Sequence, residues 1–399
     1  MERGRKKNIN DLSVLLLASI FMNGFETGGY QASLLYIGEE YALDHSAQGV
    51  IASVELFATM IAPILLGSIA DKAGKKIMLT LFTAMRVFSG IIILLATRSL
   101  PFAVGVFVLG FATSIIQYVA IAEMDDAYPL TKHKRMGGIT AMYAFGAVIA
   151  PLIVGAAIRN SLGWKSFFAS DCIISFVLAI LLWKISFEPR EKISDAEVPG
   201  EEASSGKVYF GGVALLCVIM FIYVGVENGV GFFLNGFMHE QVHSERGYFA
   251  VSLFWMAMIP SRIICGYLCR YRRFLLCAAP TGAALLLGIL SAVTNEFAAF
   301  VLVFCLGFFC GAVYPNVLTY AADFSGTRTA TVIAAITVAT GVGGTVISAA
   351  FGFLETAIGF TGSFRILAVI LALDLLFALP VVFDMRKKGT GGTGRYGKV

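Results

Sequence analysis

The sequence predicts an all-α polytopic membrane protein with twelve transmembrane helices in two pseudo-symmetric six-helix bundles, and three observations carry that prediction. The first is composition: 58% of the 399 residues are apolar and only 14% are charged, where a soluble domain carries about 25% charged residues. Mean hydropathy is +0.81. The second is a series of twelve apolar stretches, each close to the roughly 20 residues that cross a bilayer. The third is that these stretches form two sets of six, and that residues of the first set recur in the second.

The first set spans about 12–37, 47–70, 77–97, 101–122, 136–158 and 165–186, and the second about 208–234, 247–269, 274–293, 297–321, 329–354 and 363–384. Helix 1 has a basic start, yet its apolar run from Leu12 to Ile37 is too long for a signal-peptide core and no A-x-A site follows it, so it is expected to stay in the protein. The sets are divided by Glu188 to Lys207, rich in Glu, Ser and Lys and holding Pro189 and Pro199. The expected organisation is a terminal segment 1–11, a half 12–186, a linker 187–207, a half 208–384 and a tail 385–399. The Gly-rich end from Gly389 to Val399 has the composition of a flexible segment.

Lys and Arg collect on one side. Only Arg98, Arg159, Lys165, Arg246 and Arg365 fall in loops of the opposite side, while Arg86 and Arg262 lie inside helices. By the positive-inside rule both termini are cytoplasmic, in a cell membrane. The net charge of +4 is scattered over short loops, which gives no support to nucleic-acid binding. Cys172, Cys217, Cys265, Cys269, Cys277, Cys305 and Cys310 fall in or beside apolar segments without zinc spacing, so they are read as packing residues. His45, His133, His239 and His243 are placed in loops. No metal or cofactor is expected, and no nucleophile with a His partner suggests an enzyme.

The most specific motif is Gly67-Ser68-Ile69-Ala70-Asp71-Lys72-Ala73-Gly74-Lys75-Lys76. Its glycines allow close approach or positive φ, and its lysines pin the loop outside hydrocarbon. It resembles, position for position, the signature between the second and third membrane helices of the major facilitator superfamily. That resemblance implies a secondary transporter working by alternating access. It also implies a cytoplasmic gate at Gly67, Asp71, Lys72, Gly74, Lys75 and Lys76, echoed in the second half by Gly266 and the basic loop that begins at Arg270.

The halves repeat further. Gly24-Phe25-Glu26-Thr27-Gly28 is echoed by Gly225-Val226-Glu227-Asn228-Gly229, and Leu109-Gly110-Phe111 by Leu306-Gly307-Phe308. Duplicated halves place substrate near the midplane between them. An ionisable residue inside a membrane helix is a functional candidate by default. Glu26 lies about ten residues from the outer end of helix 1, about 15 Å deep, in a stretch too polar and glycine-rich to face lipid. It reads as a proton-coupling carboxylate, a sugar-hydroxyl acceptor, or a packing acid paired with Arg86. Glu227 takes the same reading by the repeat. Glu55, seven residues into helix 2, is expected near a water-accessible outer mouth, and Asp374 is expected to be structural. The remaining cavity candidates are Asn23, Tyr30, Gln31, Gln117, Asn228, Trp255, Arg262, Tyr314 and Asn316, with Pro315 breaking the wall of helix 10.

Tyr223 to Gly229, and Ser252 to Trp255 with Arg262 and Gly266, resemble helices 7 and 8 of the fucose and glucose proton-symporter branch. That branch has an acid in helix 1, where Glu26 fits, and one in helix 4, where this chain has Gln117. The resemblance implies that Trp255 stacks on a sugar-like ring. In helix 5, Gly137, Gly146, Ala150, Pro151 and Gly155 resemble the glycine row of drug:proton antiporters, although helix 4 lacks the arginine usual there. The expectation is a monomeric symporter that moves a sugar or related polar metabolite with protons, with sodium as another coupling ion. Efflux of amphipathic compounds is the alternative.

Overall fold

With no water to satisfy backbone amides in hydrocarbon, a spanning chain must close its hydrogen bonds within itself. The computed structural model, which describes residues 2–127, 132–185, 208–325 and 328–389, is accordingly helical almost throughout. The first half contains α1 (Glu2–Glu40), α2 (His45–Ala73), α3 (Lys75–Leu95), α4 (Ser99–Ala127), α5 (Lys132–Arg159) and α6 (Lys165–Lys184). The second contains α7 (Phe210–Glu240), α8 (Gly247–Tyr267), α9 (Arg272–Leu290), α10 (Glu296–Gly311), α11 (Val313–Phe324), α12 (Thr329–Ala372) and α13 (Asp374–Gly389). The predicted linker 187–207 and the tail from 390 lie outside the described residues.

Local chemistry sets the helix ends. The Asp44 carboxylate accepts from the Ala47 amide at 2.8 Å and starts α2, and Asn295 accepts from Ala298 at 3.0 Å and starts α10. Each satisfies an amide that the first turn leaves open. Gly74 separates α2 from α3 with φ 87°, a left-handed conformation that costs glycine little. Eleven described helical spans are long and apolar enough to cross a membrane. The last of these, Thr331–Phe383, runs for 53 residues, far beyond one crossing. Gly359, at φ 70° and ψ 174°, folds it into two limbs and so completes twelve. The tenth crossing is α10 and α11 together, interrupted at Ala312, three residues before the Pro315 that the sequence marks as a break.

The two halves pack alike. In the first, α1 lies on α5 and α2 on α4; in the second, α7 lies on α12 and α8 on α10. The same atoms recur at these crossings. A Cβ on Gly146 would overlap the Phe21 carbonyl, and one on Gly343 would overlap the Phe221 carbonyl. Gly110 sits against the Glu55 carbonyl and Gly307 against that of Phe254. Small residues at membrane helix crossings bring backbones close enough for extended van der Waals contact. Large apolar side chains, including Leu95, Ile173, Trp183 and Leu285, stand exposed on the outer surface, where lipid is their solvent.

The halves meet where α2 packs on α12, α5 on α8 and α1 on α7. Hydrogen bonds between them gather toward the His45 end. Ser46 Oγ pairs with Thr356 Oγ1 at 2.9 Å, and Asn235 donates to the Ala32 carbonyl at 2.6 Å. Ser252 donates to the Val148 carbonyl at 2.7 Å. Three of the four histidines depart from the sequence reading, His243 alone lying in a loop: His45 is the first residue of α2 and His239 belongs to the last turn of α7. The backbone of His133 is helical within α5.

One buried charge lattice organises the first half. Arg86 of α3 is 1% exposed. Its Nε donates to Asp171 Oδ2 at 3.1 Å and its Nη2 to Oδ1 at 2.6 Å. Further donation reaches Asn23 Oδ1 at 3.0 Å and the Met22 carbonyl at 2.6 Å. The fork thus fixes α1, α3 and α6 together, and the bidentate geometry is what guanidinium and carboxylate planes favour.

Two stability outcomes follow. Gly343→Val should cost about 1–3 kcal/mol through overpacking, seen as a lower melting temperature of the purified protein. Gly288→Ala, whose Cβ would meet only Ala368 at 3.9 Å, should leave it unchanged. Arg86→Met should destabilise by about 3–5 kcal/mol because Asp171 is left charged and buried. Adding Asp171→Leu should recover much of that loss; equal damage in single and double variants would refute the pairing.

Candidate substrate and coupling site

Glycines bring α1 against α5: Gly24 packs on Tyr143 and Gly28 on Ala147. This turns the Glu26 side of α1 inward. Glu26 is 0% exposed, and neither carboxyl oxygen has a hydrogen-bond partner. Its electrostatic neighbours are Glu55, Arg86 and Asp171. Arg86 is already engaged by Asp171, so the expected alternative of a Glu26–Arg86 ion pair is not formed. Glu55 is 4% exposed, which corrects its placement at a water-accessible mouth: α2 begins at His45 and carries Glu55 three turns inward, against Gly110 of α4.

The second half holds a matching group. Glu227 of α7 is half-buried and lies beside the Tyr223 hydroxyl, with Arg262 of α8 as its electrostatic partner. The Tyr223 hydroxyl donates to the Cys310 carbonyl at 2.8 Å. Arg262 keeps a buried Nε without a hydrogen-bond partner, and its Nη2 stands 3.8 Å from Met258 Sδ. Tyr314 shares this neighbourhood with Arg262 and Glu227 and is 38% exposed.

Between the acids lies a bridge across the halves. Trp255 Nε1 donates to Gln31 Oε1 at 2.9 Å. The Trp255 ring meets Tyr143 edge-on at 6.0 Å, and the Tyr143 hydroxyl pairs with Thr27 Oγ1 at 2.8 Å. Tyr143 has Glu26, Glu55 and Glu227 as electrostatic neighbours. The sequence reading missed Tyr143. The available signal was its position three residues before Gly146, in the glycine row of helix 5.

Other predicted cavity residues serve elsewhere. Asn23 is 0% exposed, with its amide donating to the Thr113 carbonyl at 2.9 Å and its oxygen taken by Arg86. Tyr30 is 0% exposed, donates to the Ile51 carbonyl at 3.2 Å and packs on Phe102, Phe168 and Phe232. Asn316 is 2% exposed and donates to the Arg272 carbonyl at 3.0 Å. In all three the polar end is taken up by another group of the protein. Asn228 donates to the Val224 carbonyl within its own helix at 2.9 Å, and Gln117 is exposed.

At the predicted gate, Lys75 Nζ donates to the Ala122 carbonyl at 3.0 Å and lies 3.8 Å from Glu123. Lys76 is half-buried, and Arg270 lies in a short 3-10 turn over the Tyr271 ring at 6.0 Å. The side chains of Asp71 and Lys72 lie outside what the structure describes, and Gly67, Asp71 and Lys72 belong by backbone to the last turns of α2. Asp171 is the further functional-looking acid that the sequence reading passed over, although an acid inside the apolar run 165–186 is a visible signal. Asp374 is 0% exposed with both carboxyl oxygens unpartnered, in the first turn of α13.

Comparison with known proteins agrees with this architecture. The profile of the Major Facilitator Superfamily matches residues 16–345. The glucose/mannose transporter GlcP of Bacillus subtilis is 22% identical over 281 residues, 66% of this chain and 69% of that protein. The glucose transporter GlcP of Staphylococcus epidermidis is 18% identical over 183 residues, covering 45% of this chain and 41% of that one. Among solved structures, the inward-open xylose transporter XylE from E. coli superposes with a TM-score of 0.78 at 13% identity, covering 94% of this chain and 96% of that chain. The chain spans less than half of the length of that Staphylococcus relative; with two matching helical bundles and a profile match over most of its length, it belongs to the Major Facilitator Superfamily.

Proposed function

We propose that the protein is a proton-coupled symporter for a sugar or a similar polyhydroxylated solute, with Glu26 as the proton carrier. The observation that carries this reading is the Glu26 carboxyl group, fully buried with both oxygens unpartnered while the nearby arginine is engaged elsewhere. An isolated carboxylate in such surroundings costs several kcal/mol, and binding a proton removes that cost. Rehydration of the site removes the reason to keep the proton. A group in this position therefore loads and unloads as the halves alternately expose it, with Glu227 and Arg262 assisting from the second half.

The solute class rests on the relatives, whose names describe glucose and glucose/mannose transporters, and on the side chains around the bridge. Trp255 offers an aromatic face of the kind that packs on the apolar face of a pyranose. Gln31, Tyr143, Glu227 and Arg262 offer donors and acceptors for hydroxyls. Alternating access is the rocking of one six-helix bundle on the other about this midplane site. In the proposed orientation both termini are cytoplasmic, which makes the His45 end the outer face. The bonds joining the halves there correspond to a closed outer gate. The segment around Asp71 would hold the opposite gate.

Reconstituted into liposomes with an imposed pH gradient, the wild type should accumulate glucose on the alkaline side. Glu26→Gln should abolish that accumulation yet retain gradient-independent exchange of labelled sugar. Sugar movement only against the proton flux would overturn symport in favour of exchange. Trp255→Ala, which removes the aromatic face proposed to pack on the sugar, should raise KM about fivefold, the equivalent of about 1 kcal/mol. An unchanged KM would remove Trp255 from the site.

A further inference from the structure

A second cluster of ionisable groups lies far from the coupling site and takes no part in it. His45 opens α2 in the first half, while Glu240 ends α7 and Glu355 lies on the first limb of α12, both in the second half. His45 Nε2 is 3.2 Å from Glu240 Oε1 and 3.3 Å from Glu355 Oε2, and the three donor atoms all lie within 4.8 Å of one another. A tetrahedral zinc ion with bonds of about 2.0 Å separates its ligands by about 3.3 Å. The two measured edges already have that length.

A proton alone serves this arrangement poorly. Nε2 carries at most one hydrogen and faces two carboxylate oxygens. Glu355, 6% exposed, accordingly has an Oε2 that is buried and accepts no hydrogen bond. Two carboxylates brought this close repel each other unless one of them takes up a proton or a cation lies between them. A metal ion would bind all three atoms at once. His45 and Glu240 also border a cavity of about 370 Å³, lined in addition by Gln48, Glu39 and His239, which gives an ion a path in and leaves room for a water as fourth ligand.

We propose that His45, Glu240 and Glu355 form a binding site for a divalent transition-metal ion of the zinc class, bridging the two halves. One imidazole and two carboxylates suit zinc better than magnesium or calcium, which take oxygen ligands alone. Because the ligands come from both halves, the ion binds only while this end is closed. Metal binding therefore stabilises the closed form by mass action. Zinc applied on this face inhibits transport by opposing the step in which the halves part. The binding claim does not depend on the identity of the solute or on proton coupling.

The test is a calorimetric titration of untagged full-length protein in detergent with Zn²⁺, and with Mg²⁺ as the contrasting probe. One saturable Zn²⁺ site is expected, with affinity falling at least tenfold in His45→Ala and in the milder Glu240→Gln and Glu355→Gln. His243→Ala, outside the cluster, should bind as the wild type does. Zn²⁺ should raise the melting temperature of the wild type and leave that of the three cluster variants unmoved. Absence of a saturable site, equal affinity for Mg²⁺, or undiminished binding in Glu355→Gln would each overturn the proposal. Glu240 is the partly exposed member, so Glu240→Gln keeps the question answerable if the His45 variant does not fold.

Discussion

A charge buried in a membrane protein must be matched or carried by a proton, and the matching in this protein is uneven. Arg86 is matched in full by Asp171, Asn23 and the Met22 carbonyl. The lattice binds three helices of the first half, and it also uses up the cation that Glu26 and Glu55 would otherwise share. Two acids are thereby left with one another and with neighbours that are already satisfied. Structure and mechanism are linked at this point: the rigidity of the bundle and the isolation of Glu26 are consequences of the same hydrogen bonds.

The second half repeats the frame but changes its chemistry. Gly343 on Phe221 mirrors Gly146 on Phe21, and Gly307 on Phe254 mirrors Gly110 on Glu55. Close backbone contact is therefore a requirement of the fold in both halves. The charge pattern is not copied. Glu227 faces Arg262 where Glu26 faces an arginine committed elsewhere. In the proposed mechanism, a symmetric frame with asymmetric charges would let the halves rock as similar bodies while one of them handles the proton.

Much of this was legible in the chain. Twelve apolar stretches, the ten-residue motif Gly67–Lys76 before helix 3 and the echo of Glu26 in Glu227 are local patterns, and local patterns survive in a sequence. Gly74 was readable because a positive φ leaves glycine as the natural choice. Partners distant in sequence were not readable. Asn23 looked like a cavity residue because polarity inside a helix signals function, and only the fold reveals that Thr113 and Arg86 claim both ends of its amide. The Tyr30 hydroxyl is likewise claimed by the Ile51 carbonyl. Asp171 and Tyr143 were passed over because each sits singly in an apolar run. His45, Glu240 and Glu355 have no common spacing, so their convergence exists only after the two halves close upon each other.

The central claim is that Glu26 carries the proton that moves with the solute. The most direct measurement is a pH-electrode recording on lightly buffered proteoliposomes, started without any gradient, when glucose is added outside. The account predicts alkalinisation of the medium in step with sugar entry for the wild type. It predicts no pH change for Glu26→Gln under conditions where labelled glucose still exchanges. Sugar entry by the wild type without a pH change, or a full pH response from Glu26→Gln, would contradict it.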